Sequence, residues 1–338
     1  MKPNPAKYLV EQEFQVWKSE LPESVIALNS GSGSNRQYFR IESGKRSLIA
    51  TLNHDIRENE AFFYLDSYFR DKGVRIPEVQ FISKDKTIYF QQDLGDVNLL
   101  QLVKTDGFTE DILNLYKDSL KMLFQMQFAG RELDYHKCYP RPAFDRQSVL
   151  WDLNYFKYYF LKVSGLEFDE QLLENDMQTL ATHLAVNSGD QNFMFRDFQA
   201  RNIQINHQET WFIDFQGGRR GPLLYDVASL LYQASANLPD EHRKYLLDYY
   251  YQEISGKIDY PRDRFNQDFQ MMVFIRIIQT LGAYGFRGLI EGKEYFKNSI
   301  PQALENLQNL MSDFQPDVKI PYFFKTLGRL LEIKNNFE

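Results

Sequence analysis

The stretch that decides the fold reads Phe-Met-Phe-Arg-Asp-Phe-Gln-Ala-Arg-Asn-Ile-Gln-Ile at 193–205 and, after a polar turn, Trp-Phe-Ile-Asp-Phe at 211–215. Apolar runs on both sides of the turn predict a β-hairpin. Three polar side chains flank this hairpin, namely Asp197, Asn202 and Asp214. A tight loop followed by a hairpin would bring the three together.

These side chains suit phosphoryl transfer from ATP. A transferring phosphoryl group spreads negative charge over its oxygens, so catalysis depends on positioning and electrostatic stabilisation. Asp197 would orient the attacking hydroxyl. Arg201 is a second candidate catalytic residue. Mg²⁺ keeps several waters and takes few protein oxygens, so Asn202 and Asp214 suffice as metal ligands.

The spacing of Asp197 and Asn202 has a simpler interpretation. An Asp and an Asn five residues apart are expected about once by chance in a chain of this length. They could cap a turn in front of a buried strand. The apolar runs on both sides favour the catalytic interpretation over the capping one.

Composition excludes several classes of protein. The 338 residues carry a formal net charge of −7, which argues against nucleic-acid binding. The single Cys138 excludes a disulfide framework and a zinc site with several cysteines, and the five histidines are scattered. The first residues lead into a charged amphipathic segment, and no apolar run approaches membrane-spanning length. We expect a cytoplasmic protein without a membrane segment.

The order of predicted elements indicates an α+β protein with two lobes. After an opening helix at 5–19, strands are predicted at 24–28, 37–41, 47–52, 79–82 and 87–91, with a helix at 55–71 between the third and the fourth. The first lobe, 1–95, would be a small five-stranded antiparallel sheet with one internal helix. The second, 96–338, is predicted to be mostly helical and to hold the catalytic loop and the substrate. Its helices are predicted at 109–130, 146–163, 169–187, 224–236, 240–254, 263–288 and 318–334.

A loop rich in glycine and serine lies between the first two predicted strands. Gly31, Ser32, Gly33 and Ser34 would let the backbone approach phosphate oxygens and point N–H groups at them. No Gly-Lys-Ser/Thr follows, so the loop is not a P-loop, and no helix begins there. A structural turn is the alternative. The position of the loop, in the β-rich half and upstream of the acidic residues, favours a lid over ATP phosphates.

The sequence does not single out the cation that would bind the nucleotide phosphates. In kinases a glutamate on the helix of the small lobe pairs with a strand lysine. Here Glu60 is the candidate glutamate, but the strand at 47–52 contains no lysine. Arg40 on the preceding strand could replace it, or the phosphates could rely on the loop backbone and the metal. Glu60 could also lie on a solvated helix face.

The chain resembles the aminoglycoside phosphotransferase and choline kinase superfamily, which has a protein-kinase-like fold. It is most similar to the bacterial anomeric kinases of N-acetylmuramate and N-acetylglucosamine that act in cell-wall recycling. The resemblance spans nearly the whole chain. It rests on Gln-Tyr-Phe-Arg at 37–40, Gln-Asp-Leu-Gly at 92–95, Phe-Arg-Asp-Phe-Gln-Ala-Arg-Asn at 195–202, Ile-Asp-Phe-Gln at 213–216 and the run that follows from 221 to 230.

The resemblance implies several roles. Adenine would contact the backbone around Gln92, Asp93 and Leu94, and Asp226 would be buried and brace the catalytic loop. The acceptor would lie beside Asp197 in the helical lobe. The chain departs from the family at Phe195, where a histidine usually stands, and in the missing strand lysine.

The acceptor is the least determined part of the prediction. Arg276 and Arg287 on the helix at 263–288, and Arg219 after the metal-binding aspartate, would suit an anionic sugar such as N-acetylmuramate. Each of them could equally be solvated or paired with an acidic side chain. The leading function is an ATP-dependent kinase of an amino-sugar anomeric hydroxyl. The alternatives are a kinase of another small acceptor, such as choline or an aminoglycoside, and a non-catalytic nucleotide-binding module.

Overall fold

We describe the protein from a computed structural model, which covers residues 4–28, 36–44, 46–187 and 192–337. The predicted lid residues Gly31, Ser32, Gly33 and Ser34 lie outside these ranges. The strands are β1 (Ser24–Leu28), β2 (Gln37–Ser43), β3 (Arg46–Leu52), β4 (Val79–Ile82), β5 (Ile88–Gln92), β6 (Asn192–Met194), β7 (Ile203–Asn206), β8 (Glu209–Phe212) and β9 (Arg219–Gly221).

The α-helices outnumber the strands. They are α1 (Pro5–Lys18), α2 (Ile56–Asp71), α3 (Leu99–Asp106), α4 (Glu110–Ala129), α5 (Arg146–Phe156), α6 (Glu170–Asn187), α7 (Leu224–Leu231), α8 (Asp240–Ser255), α9 (Arg262–Tyr284), α10 (Glu294–Lys297), α11 (Ile300–Asp313) and α12 (Pro321–Glu332). Helices α5 and α9 each continue into a π-helical segment, Lys157–Leu161 and Gly285–Ile290.

Strands β1 to β5 form one antiparallel sheet in the order β1-β2-β3-β5-β4. One face of this sheet packs on α1, where the apolar side chains of alternate strand residues such as Phe39, Ile41 and Ala50 are buried. The prediction of a five-stranded antiparallel sheet and a largely helical second part is therefore confirmed. The lobe boundary at 95 stays a prediction.

The opposite face of the sheet contacts the rest of the chain. Phe62 on α2 packs against Tyr89 on β5 and Phe215 after β8, with ring centroids 5.0 and 5.2 Å apart. All three residues belong to the same apolar core as the helices that follow. Helix α2 therefore joins the sheet to the segment that carries Asp214.

Several helical regions differ from the prediction. Helix α7 ends at Leu231 and not at 236, and helices α3, α10 and α11 are absent from the predicted set. The sequence does carry a signal for α11, because Pro301 is in its first turn and Ala303, Leu304 and Leu307 are buried at helical spacing. Among the described helices, none combines the length and the apolar character that crossing a membrane requires.

Candidate active site

The predicted hairpin is formed by β7 and β8. Ile203 pairs with Phe212 and Asn206 with Glu209, which leaves His207 and Gln208 as a two-residue turn. Both turn residues have positive φ angles, 50° and 64°, as a type I′ hairpin turn requires. The hairpin returns the chain to Asn202, whose carbonyl accepts the N–H of Ile213 at 3.0 Å. Asp214 therefore follows directly beside Asn202.

The segment from 195 to 202, which we call the catalytic loop, is held in place by the carboxylate of Asp226. This carboxylate is completely buried in α7 and accepts the backbone N–H groups of Phe195 at 2.8 Å and Arg196 at 2.9 Å. Burial raises the pKa of Asp226 to about 7, although the hydrogen bonds from these two N–H groups act in the opposite direction and lower it. Arg196 has a φ angle of 83°, a left-handed conformation that non-glycine residues rarely adopt. The contact with Asp226 therefore stabilises an unfavourable turn next to Asp197.

Asp197 is surrounded by donors. Arg276 on α9 and Arg201 reach its two carboxylate oxygens at 3.0 and 3.2 Å, and Gln199 donates to it at 2.5 Å. The side-chain nitrogen of Asn202 donates to the backbone carbonyl of Asp197 at 2.9 Å. Burial favours the neutral carboxyl, but the two arginines outweigh it and lower the pKa of Asp197 below its ordinary value. Asp197 is therefore an ionised, firmly oriented carboxylate.

Asp214 leaves β8 in a left-handed conformation with a φ angle of 69°. Its Oδ1 atom accepts hydrogen bonds from Gln216 at 2.8 Å and from Arg36 at 3.4 Å. The nitrogen of the Asn202 amide is engaged by Asp197, so its oxygen is the part left for other contacts. Within the described residues no group of three or more His, Cys, Asp or Glu side chains could hold a metal ion. A carboxylate with one amide oxygen is nevertheless a donor set that suits Mg²⁺.

Arg36, immediately before β2, was missed by the sequence analysis. Its side chain is buried, with Nη2 at 2.6 Å from Glu58 on α2 and Nη1 at 3.4 Å from Asp214. Glu60, the predicted partner on α2, instead forms a half-exposed ion pair with Lys86. Residues two apart on a helix point in different directions, and the role of Glu60 at the nucleotide stays a prediction. The glutamate of α2 that contacts Arg36 is Glu58.

Arg40 also differs from its predicted position. Its guanidinium bonds to Asp93 at 2.6 Å and to Asp96 at 2.8 Å, so both carboxylates hold it at the segment that follows β5 and away from Asp214. Burial works against the Asp93 carboxylate, but Arg40 and Ser47 lower its pKa. The Leu94 carbonyl accepts from Asn206, and the Gln92 N–H donates to Glu78. These contacts fix the segment predicted to meet adenine.

A cavity of about 190 Å³ opens beside Asp197. Helix α9 forms one wall, the catalytic loop another and α10 a third. The lining residues are Arg196, Asp197, Gln199, Arg201, Arg276, Gln279, Thr280, Ala283, Tyr284, Tyr295 and Phe296. Three of these side chains are guanidinium groups and one is a carboxylate, so the cavity favours neutral or anionic ligands.

Arg276 is the predicted acceptor residue that the structure brings to this cavity. Arg287 forms an i, i+4 pair with Glu291 on the π-helical segment, and Arg219 is buried with its guanidinium on the carbonyl of Gly217. Burial and the neighbouring Arg196 lower the pKa of Arg219 to about 10. Neither Arg219 nor Arg287 lines the cavity, and their contact with an acceptor stays a prediction.

A larger cavity of about 330 Å³ lies elsewhere in the helical part, between α6, α9 and the segment before α12. It contains none of the residues of the catalytic loop. Its lining includes two ion pairs, Arg264 with Asp268 and His183 with Asp317. The smaller cavity is therefore the candidate acceptor site.

Comparison with known proteins agrees with this geometry. The model of the "Phosphotransferase enzyme family" matches residues 25–265. N-acetylmuramate/N-acetylglucosamine kinase of Neisseria meningitidis serogroup B is 24% identical over 81% of this chain and 82% of its own length. The protein of the same name from Pseudomonas aeruginosa is 22% identical over 87% and 86%.

Solved structures of the same fold include two kinases with different acceptors in their names. Choline kinase LicA from Streptococcus pneumoniae has a TM-score of 0.62 at 11% identity, covering 91% of this chain and 100% of its own. Spectinomycin phosphotransferase APH(9)-Ia, solved with ADP and spectinomycin, has a TM-score of 0.58 at 15% identity, covering 96% and 99%. The predicted resemblance, the kinase-like fold and the class of small-molecule phosphotransferase are confirmed. The chain belongs to the phosphotransferase enzyme family.

Proposed function

We propose that this protein transfers the γ-phosphoryl group of ATP, with Mg²⁺, to the anomeric hydroxyl of an amino sugar such as N-acetylmuramate or N-acetylglucosamine. The observation that carries the proposal is the convergence of Asp197, Asn202 and Asp214, with Asp197 lining a cavity together with Arg201 and Arg276. The names of the two curated relatives point to the same acceptors.

Asp197 would orient the acceptor hydroxyl in line with the phosphorus. Its lowered pKa makes it a weak base, which suits a loose transition state in which the hydroxyl keeps its proton until late. An anomeric hydroxyl is more acidic than an ordinary sugar alcohol, so a weak base is sufficient. Asp226 would act only through the catalytic loop, since it is completely buried.

The metal and the nucleotide would lie on the side of Asp197 that faces the sheet. Asp214 and the amide oxygen of Asn202 would hold Mg²⁺, which when bound neutralises charge on the phosphates. The backbone of Gln92, Asp93 and Leu94 would meet adenine. The Asp93 carboxylate is occupied by Arg40 and Ser47, so recognition of the base would fall to backbone groups.

The cavity supports a neutral or anionic acceptor over a cationic one. Asp197 is the only carboxylate among the described residues that line it, and two arginines already contact that carboxylate. A polycation such as an aminoglycoside would gain no further acidic partner and would face Arg276 and Arg201. Choline and aminoglycosides are therefore the second candidate class. A non-catalytic nucleotide-binding module is the third.

A coupled assay of ADP release across a panel of acceptors tests the proposal. We expect N-acetylmuramate or N-acetylglucosamine to stimulate ADP release strongly, and choline and aminoglycosides to give little. Asp197→Asn should lower turnover by about 10²- to 10⁴-fold while ATP and Mg²⁺ still bind. Asp248→Asn, which changes an exposed carboxylate on α8, should leave turnover intact. If no acceptor stimulates wild-type ADP release, the catalytic proposal is wrong and the binding module replaces it.

A further inference from the structure

No lysine is present in β3, where a kinase usually places the cation that grips the nucleotide phosphates. The one arginine of that strand, Arg46, is its exposed first residue and pairs with Ser43 at the solvent end. Arg40 on β2 is held by Asp93 and Asp96. The described part of the chain therefore offers a different cation to the region of Asp214, and it is Arg36.

The guanidinium of Arg36 is held in place by a glutamate of α2. Its Nη2 atom lies 2.6 Å from Glu58, and only 4% of the residue is exposed. Glu58 is in turn held by the side chain of Asn53 at 2.8 Å. The N-cap carboxylate of Asp55 accepts the backbone N–H of Glu58 at 3.3 Å. The guanidinium therefore has a rigid acidic partner.

The charge of Arg36 is permanent. Burial opposes it, but Tyr38, Tyr89 and Glu58 more than compensate and raise the pKa of Arg36 above its ordinary value. Its second contact, with Asp214, is longer at 3.4 Å. A guanidinium offers five N–H donors, so Arg36 can keep Glu58 and still turn a donor from Asp214 to another anion.

We propose that Arg36, held by Glu58, replaces the missing strand lysine and binds the β- and γ-phosphates of the nucleoside triphosphate. The inference rests on the proposed function of this same site. Before nucleotide binds, Arg36 balances the carboxylate of Asp214. When the phosphates arrive, that donor would pass to a phosphate oxygen, so Asp214 Oδ1 would keep Gln216 as its donor and the carboxylate would be available to hold the metal. The planar fork of arginine suits bidentate contact with phosphate.

Nucleotide affinity measured by calorimetry without acceptor tests the proposal. Adenosine, ADP and ATP are compared, with and without Mg²⁺, for the wild type, Arg36→Met, Arg36→Lys and Glu58→Gln. We expect Arg36→Met to weaken ATP and ADP binding at least tenfold and to leave adenosine binding within twofold. Arg36→Lys keeps the charge without the fork, so the loss for ATP should be smaller. Glu58→Gln should also weaken ATP more than adenosine.

Arg40→Met is the matched control. It removes an arginine that contacts the adenine segment, so it should change the affinities of adenosine and ATP by the same factor. The proposal is overturned if ATP binds Arg36→Met as tightly as the wild type, or if adenosine and ATP weaken equally. Should Arg36→Met fail to fold, the ratio of ATP affinity to adenosine affinity in Arg36→Lys and Glu58→Gln decides in the same way.

These outcomes are separable from failure of the proposed function. A wild-type protein that binds ATP but phosphorylates no sugar contradicts the proposed acceptor, while the ratio of ATP to adenosine affinity still decides the role of Arg36. A wild-type protein that binds no nucleotide contradicts both.

Discussion

The guanidinium of Arg276 donates to the carboxylate of Asp197 at 3.0 Å and joins helix α9 to the catalytic loop. This contact holds the side chain that would orient the acceptor. Arg276 also lines the acceptor cavity, so one residue connects the position of the acceptor with that of the base.

Replacing Arg276 with Gln should therefore reduce kcat by about 10- to 100-fold, because a displacement of about 1 Å at a reacting group has an effect of this size. Affinity for ATP should stay unchanged, since the residue lies on the acceptor side of Asp197. Steady-state kinetics with ATP and acceptor varied separately would show this. Arg264→Gln, on the same helix and paired with Asp268, is the control. Equal losses in the two variants would contradict a specific role for Arg276.

Asp226→Asn should destabilise the protein by about 1–3 kcal/mol, because an amide has one acceptor oxygen for the N–H groups of Phe195 and Arg196 and leaves one of them unsatisfied. Urea denaturation followed by circular dichroism measures the free energy of unfolding. A variant as stable as the wild type would show that the loop does not depend on this carboxylate.

The effect of Asp226 should also depend on pH. Its pKa is about 7 in the folded protein against 3.8 ordinarily, so between these values the native state binds more protons than the unfolded state. The contribution of Asp226 to the free energy of unfolding is fully present below the ordinary pKa and is lost as the pH rises through 7. The difference in unfolding free energy between wild type and Asp226→Asn should therefore shrink from pH 5 to pH 8. A constant difference would mean that the protonation state of Asp226 in the folded protein does not change between pH 5 and pH 8.

The parts of the site that the sequence predicted are local. Asp197, Asn202 and Asp214 lie on one loop and one hairpin, so the turn chemistry and the apolar runs around them suffice to place them together. The five strands and most long helices were predicted for a similar reason, because their apolar side chains repeat at strand or helix spacing.

The parts that the sequence could not predict are contacts between distant segments. Arg36 and Asp214 are 178 residues apart, and Arg276 and Asp197 are 79 apart. No periodic pattern indicates which of several arginines reaches the site. Two glutamates stand two residues apart on α2, and the helix alone does not determine that Glu58, and not Glu60, contacts Arg36. The rotation of α2 against the sheet decides this, and it is set by packing of residues such as Phe62.

Two helical glycines should respond to alanine in opposite directions. A Cβ atom on Gly282 of α9 would lie 2.7 Å from the Phe156 nitrogen and 2.9 Å from the Tyr155 carbonyl carbon, both in the backbone of α5. Gly282→Ala should therefore cost about 1–3 kcal/mol. Gly328 of α12 has nothing within 4 Å of such an atom, so Gly328→Ala should stabilise by up to about 1 kcal/mol through helix propensity. Thermal unfolding of both variants tests the close crossing of α5 and α9, and a Gly282→Ala protein that melts above the wild type would rule it out.

Gln233, which the sequence analysis did not single out, links the catalytic loop to the wall of the cavity. Its Oε1 atom accepts the N–H of Ala200 at 2.7 Å, its Nε2 donates to Ser235 at 2.8 Å, and Ser235 lies 2.9 Å from the hydroxyl of Tyr295. Gln233→Leu keeps much of the volume but leaves the buried N–H of Ala200 unsatisfied, which should cost about 1–3 kcal/mol. Since Tyr295 lines the cavity, the KM for the acceptor should rise while the KM for ATP stays constant. Gln233→Glu retains the acceptor oxygen for Ala200 and should recover most of the lost stability. If Gln233→Leu raised both KM values together, the hydrogen-bonded chain would be supporting the whole site and not the acceptor side alone.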